Sequence, residues 1–216
     1  MLIDIHTHFD FKSCLSIKSV SVGSKSKIRA KFFSAGIHPW FVKFDNSNFL
    51  FFELLEYSKF SNFVAWGEIG LDKNFNSKNF DSQLFFFERQ IIMAQNTNLP
   101  VIIHCVGAFN EILNFRKKYN KNTWISHDFY ASEQIAKKII DSGVYLALGN
   151  NFLRKNSKIE LFLQKIPSDF ILFETDIHYF SIKDVYSKAS EIKRISFENL
   201  ETTVENNFEK AFKWKP

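Results

Sequence analysis

Six histidines and a handful of acidic residues hold most of the chemistry available to this 216-residue chain. His6 and His8 stand two apart, directly behind the apolar, β-branched run Leu2, Ile3, Ile5. Such a run reads as a short buried strand, and side chains two apart on a strand share a face. Two imidazoles on one face can converge on one ion, although a pair by itself is equally consistent with chance. The other histidines sharpen the reading. His38 lies in Gly36-Ile37-His38-Pro39-Trp40, and Glu68 and Asp72 lie in Gly67-Glu68-Ile69-Gly70-Leu71-Asp72. His104 follows Pro100-Val101-Ile102-Ile103, and His127 follows Thr123-Trp124-Ile125-Ser126. Asp176 closes Glu174-Thr175-Asp176, with His178 two residues on. Imidazole nitrogens with a carboxylate able to bridge make the donor composition of a two-metal hydrolytic centre.

The elements that must position these groups follow from the hydrophobic pattern. Short apolar runs at 2–7, 15–22, 31–37, 63–69, 100–105, 123–128, 143–149 and 170–175 read as eight strands. Between them Leu84, Phe87, Ile91 and Ala94 recur at helical spacing, as do Ile159, Phe162, Leu163 and Ile166 ahead of Pro167. Gly143 follows Ile139 and Ile140 where a helix C-cap is expected. Ser181 and Asp184 read as a capping box opening a helix through Val185, Ala189 and Ile192. Leu200, Val204, Phe208 and Phe212 mark a last helix packed on the outside.

Repeated βα units imply a parallel sheet, and eight of them imply a TIM-type (β/α)₈ barrel near the lower limit of length for that fold. Residues 8–14 and 23–30 are too short and polar for the first two outer helices, which should be shortened or missing. An open doubly wound sheet is the alternative. In a parallel barrel, reactive groups project from the C-terminal ends of the strands. All six histidines, Glu68 and Asp176 fall at or just beyond such ends. Residues placed by chance would scatter over the helices as well.

At this point the chain resembles the TatD-type metal-dependent deoxyribonuclease family, within the amidohydrolase-like barrel superfamily. The matching segments are Ile5-His-Thr-His-Phe-Asp10, Gly36-Ile-His-Pro39, Gly67-Glu-Ile-Gly-Leu-Asp72, Leu99-Pro-Val-Ile-Ile-His104, His127-Asp-Phe129 and Glu174-Thr-Asp176. Asn207-Phe208 with Phe212 resembles the closing motif. The resemblance implies that His6, His8 and Asp176 hold a first metal, and that His104 and His127 hold a second. Glu68 would bridge both. It further implies two divalent ions (magnesium, manganese or zinc), with Asp176 accepting a proton from the attacking water. The implied substrate is nucleic acid, DNA ahead of RNA, hydrolysed at its phosphodiester bonds from an end. Asp176 and Glu68 are thus the expected catalytic residues. His38, Asp72, Phe129 and His178 are the expected substrate-side residues, and Phe9 and Tyr179 are further candidates for stacking on a base. The pattern departs from the family at Cys105-Val106-Gly107, where relatives commonly place an arginine, and at His178, where they tend to place a proline.

Composition narrows the classes. With 45% hydrophobic and 24% charged residues the chain reads as one ordinary globular domain over residues 1–216. A formal net charge of +5 suits a polyanionic substrate, and Lys25, Lys27, Arg29 and Lys31 form a loose basic run. The 27 phenylalanines read as compositional bias. No apolar run approaches a membrane span, Met1 leads straight into a strand without a signal-peptide pattern, and no obligate protein partner is evident. Cys14 and Cys105 have neither zinc-ribbon nor CxxC spacing; they read as reduced thiols of a cytoplasmic protein. Two rival functions stand beside the nuclease. One is a metallohydrolase of a small ester, lactone or amide in the same barrel, for which a bridging lysine would be expected where Glu68 stands. The other is a non-catalytic binding protein on a degenerate barrel, against which the full set of ligands argues.

Overall fold

The computed structural model describes residues 1–9, 13–23, 30–43, 45, 47–75 and 79–214. Eight strands form one parallel sheet in chain order: β1 (Ile3–Thr7), β2 (Leu15–Ser21), β3 (Phe33–Gly36), β4 (Phe63–Asp72), β5 (Val101–Val106), β6 (Trp124–Ser126), β7 (Val144–Leu148) and β8 (Ile171–Phe173). A parallel bridge between Thr7 and Asp176 brings β8 back to β1, so the sheet curls into a nearly closed barrel. This is the (β/α)₈ architecture expected from the alternating pattern, and the open doubly wound sheet is excluded.

The helices are α1 (Ser47–Tyr57), α2 (Phe80–Ala94), α3 (Phe109–Lys118), α4 (Glu133–Asp141), the single turn α5 (Asn150–Leu153), α6 (Ile182–Lys193) and α7 (Phe197–Phe212). Among the described residues, no helix follows β1 or β2, as their short polar links require. Asp10 of the first motif, and Lys25, Lys27 and Arg29 of the basic run, lie outside the described residues. The first strand is secured by the last two helices instead. The Tyr186 hydroxyl on α6 accepts from Ile3 N at 3.1 Å and donates to Ile3 O at 3.2 Å, satisfying a strand end that has little sheet on that side. Asn207 on α7 donates to Ser168 O and Ile171 O, which pins the entry to β8.

One expected helix is not formed. Ile159, Phe162, Leu163 and Ile166 are buried, but they lie along two separate 3₁₀ turns, Lys158–Leu161 and Leu163–Lys165, broken at Phe162. Pro167 forces Ile166 into an extended conformation. The stretch before it is too short to propagate a regular helix between α5 and β8. The other signals hold. Gly143 takes φ +76° behind α4, and Ser181 caps α6, although its hydroxyl accepts from Lys183 N rather than completing a box with Asp184.

Two glycines of β4 explain the Gly67-Glu-Ile-Gly70 spacing. Gly70 has φ +157°, and a Cβ there would stand 1.9 Å from His104 O; one at Gly67 would stand 2.5 Å from Ile102 O. β4 therefore runs against β5 at a distance that only glycine permits, and this brings Glu68 beside His104. No helix among the described residues is long and apolar enough to cross a membrane.

Candidate metal centre

The strand ends converge on Glu68. Its side chain is buried, and its two oxygens face opposite halves of the barrel mouth. Oε2 lies 3.4 Å from His6 Nε2. Oε1 lies 2.6 Å from His104 Nδ1, 2.7 Å from His127 Nε2 and 3.2 Å from His38 Nε2. Asp176 Oδ1 stands 3.5 Å from both His6 Nε2 and His8 Nε2. Two donor groups result: His6, His8, Glu68 and Asp176 form one, and His38, Glu68 and His104 the other. His127, only 3.2 Å from His104 Nδ1, adjoins the second. Together they surround a cavity of about 270 Å³, with Trp40, Phe41 and Ile177 at its rim.

Backbone geometry sets these groups. Asp176 adopts φ +55°, a left-handed conformation that aspartate tolerates better than most residues. In it Asp176 N donates to His6 O at 2.9 Å while His8 N donates to Asp176 O at 3.0 Å. Beneath them the buried Asp4 accepts from Thr175 N at 3.2 Å and His6 N at 3.3 Å, and its other oxygen lies 2.7 Å from Thr175 Oγ1. Two glutamines seven residues apart on α2 hold the neighbouring strand ends by mimicking a backbone partner. Gln90 pairs with both N and O of Ile37, and Gln83 pairs with both N and O of Asp72.

The electrostatics fit a cation. Burial opposes charge on Glu68, yet His127, His104 and His38 outweigh it and hold the carboxyl well below its ordinary range. Burial likewise opposes protonation of His6, but Asp176 and Glu68 raise it to about 10. Burial is also overcome at His127, where Glu68 and Glu174 raise the pKa well above its ordinary value. Carboxylate charge is concentrated where water is scarce, and protons on imidazole balance it; a divalent cation provides the same balance and displaces those protons. Both His6 nitrogens are fully buried without a hydrogen-bond partner. Orphaned nitrogens are costly in a dry interior, and Nε2 points toward two carboxylates. The donor set therefore fits metal.

Other expected site residues fall in different places. His38, expected on the substrate side, does line the cavity and also joins the donor cluster. Asp72 is buried and does not line the cavity; its Oδ2 lies 3.3 Å from His104 Nε2 and accepts from Trp40 Nε1 at 2.7 Å. With burial opposing, His104 and Trp40 hold its carboxyl down to about 2. Phe129 is 1% exposed and packs on Phe109, so a base cannot stack on it. Its backbone N donates to Ala147 O at 2.9 Å. His178 stacks on Phe180 and stays off the cavity wall. Phe9 and Tyr179 pair with each other, ring centroids 4.2 Å apart. Four positions escaped the sequence reading. They are Glu174, whose Oε1 accepts from Asp128 N and faces His127 Nδ1 at 3.2 Å, together with Asp4 and the two glutamines. Glutamines at i and i+7 on an apolar helix face were the available signal for the last pair.

Comparison with known proteins gives the family and the fold. The family model described as TatD related DNase matches residues 13–213, which leaves out β1 with His6 and His8. A Bacillus subtilis protein described as an uncharacterized metal-dependent hydrolase is 28% identical over 73% of this chain and 68% of its own length. A Rahnella protein named 3'-5' ssDNA/RNA exonuclease TatD is 28% identical over 72% of this chain and 60% of its own length. These matches thus span only about two thirds of the relatives' length. The crystal structure of YjjV, a TatD homolog from Escherichia coli K12, superposes with a TM-score of 0.85 over 99% of this chain and 98% of that one, at 22% identity. With its strand-end donors, its glycine-spaced fourth strand and a family match running from the second strand into the last helix, the chain belongs to the TatD related DNase family.

Proposed function

We propose that this protein is a metal-dependent phosphodiesterase that hydrolyses nucleic acid, DNA ahead of RNA, from a strand end. The observation that carries the reading is the division of Glu68, with Oε2 turned to His6 and Oε1 to His104 and His127. His6, His8 and Asp176 would hold one divalent ion and His104 and His127 another, with Glu68 shared and His38 alongside. Magnesium, manganese and zinc all suit the mixed donors. Such a pair supplies Lewis-acid polarisation of a phosphoryl oxygen and makes water a competent nucleophile at neutral pH. Asp176, at the cavity wall, takes the proton as the water oxygen bonds to phosphorus. The phosphorus–oxygen ester bond breaks, and the departing alkoxide takes up the proton held by Asp176 and leaves as an alcohol. Glu174 and Asp72 act one step back, orienting His127 and His104 through their outer ring nitrogens. The exonuclease name of one relative supports the substrate class. The eight strands of one sheet support reading residues 1–216 as a single hydrolase domain. The two free cysteines support a cytoplasmic setting.

The cavity of about 270 Å³ favours a second reading, hydrolysis of a small ester, lactone or amide in the same site. A panel of short DNA, short RNA, and ester or lactone substrates, each assayed with magnesium, manganese and zinc, separates the two. Turnover of oligonucleotides supports the first. Turnover of the small substrates alone supports the second.

A further inference from the structure

The cavity rim beside β3 and β4 is aromatic, and it is built with unusual care. Trp40 is 44% exposed and Phe75 41% exposed, yet their rings stack with centroids 5.0 Å apart and planes 21° from parallel. One buried carboxylate holds both. Asp72 Oδ2 accepts from Trp40 Nε1 at 2.7 Å, while Asp72 Oδ1 accepts from the backbone N–H groups of Asn74 at 2.8 Å and Phe75 at 3.1 Å. The Trp40 backbone N–H donates to His38 Nδ1 at 3.2 Å. Since Asp72 Oδ2 also lies 3.3 Å from His104 Nε2, the stacked rings are in fixed register with the donor cluster. Large apolar rings left exposed forgo the stabilisation that burial would bring. Trp40 lines the reactive cavity and Phe75 extends it as a stacked neighbour, and exposed apolar rings at such a place mark a recognition surface.

We propose that Trp40 and Phe75 form a stacking ledge for a planar ring of the substrate, the nucleobase adjoining the scissile phosphodiester. Asp72 is the residue that positions the ledge. This deepens, and rests on, the nucleic-acid reading given above. A ring stacks on any base through its π-face, so the ledge imposes little sequence preference. It does require that a base be present. A simple phosphodiester without bases would reach the same metal donors and gain nothing at the rim.

The test separates base from phosphate. Two dye-labelled trinucleotides with hydrolysis-resistant phosphorothioate links, one with normal bases and one abasic throughout, are titrated against metal-loaded protein by fluorescence anisotropy. Wild type should prefer the base-bearing strand by about 10-fold, the scale of one stacked base. Trp40→Phe, which keeps a ring, should retain most of that preference. Trp40→Ala and Phe75→Ala should each reduce it to less than about 3-fold while circular dichroism stays unchanged. An unaltered preference in folded Trp40→Ala, or no preference in wild type, overturns the ledge. No binding of either strand overturns the ledge and the nucleic-acid reading together. A Trp40-dependent preference without cleavage of the ordinary phosphodiester strand, under any of the three metals, upholds the ledge and removes only the phosphodiesterase reading.

Discussion

His6 and Asp176 meet twice, through a 2.9 Å backbone hydrogen bond from Asp176 N to His6 O and through side chains that approach to 3.5 Å. The place where the eighth strand returns to the first is therefore the place where the first donor group assembles. Closing the barrel and building the site are one structural event, which ties stability to chemistry at this end of the molecule.

Asp176 is the side chain best placed to accept a proton. Its carboxylate lines the cavity, whereas His178 stacks on Phe180 outside it. Asp176→Asn should lower kcat by about 10²-fold or more, the usual scale of a lost general base, with KM nearly unchanged. His178→Ala should cost far less. Both are measured at saturating metal, so that lost occupancy is not read as lost chemistry. An active Asp176→Asn beside an inactive His178→Ala would reassign the base.

Asp4 should prove structural. Asp4→Ala strands the donors of His6 N and Thr175 N in a dry interior, while Thr175 Oγ1 keeps Thr7 Oγ1 as a partner at 2.9 Å. A loss of about 2 kcal/mol or more is expected from urea unfolding at unchanged m-value. Asp4→Asn retains an acceptor oxygen and should lose less. If Asp4→Ala unfolds at the wild-type midpoint, the carboxylate does not secure the closure.

Much of this was legible in the residues, because strand ends and metal donors coincide in the chain. His6, His8, Glu68, His104, His127 and Asp176 each follow an apolar run, and the eight-strand alternation requires a barrel whose C-terminal ends face one way. What was not legible depends on how side chains turn once the barrel has closed. Phe129 follows a candidate donor, His127, by two residues, yet it is buried against Phe109 of α3. His38 reaches Glu68 because β3 ends at Gly36, where a Cβ would stand 2.6 Å from Glu68 O. The stretch from Ile159 to Ile166 has helical spacing, but Pro167 and the short span to β8 restrict it to 3₁₀ turns. Gln83 and Gln90 look like ordinary helix polar residues until the strands they serve are in place.

Salt should weaken substrate binding if the substrate is nucleic acid. The motive is the net charge of +5. A site touching roughly three phosphates of a single strand gives a slope of about 2 in log KM against log salt. A KM independent of salt would favour the small-substrate reading.

The division of Glu68 between two donor groups is tested most directly by titrating metal-free protein calorimetrically with manganese, beside Glu68→Gln. Wild type should take up two ions and recover hydrolysis that chelation had abolished. Glu68→Gln, weakened toward both groups at once, should lose affinity for both ions and lose more activity than any single histidine substitution. Full turnover in verified metal-free protein, or two undiminished binding events in Glu68→Gln, would contradict a centre shared through that carboxylate.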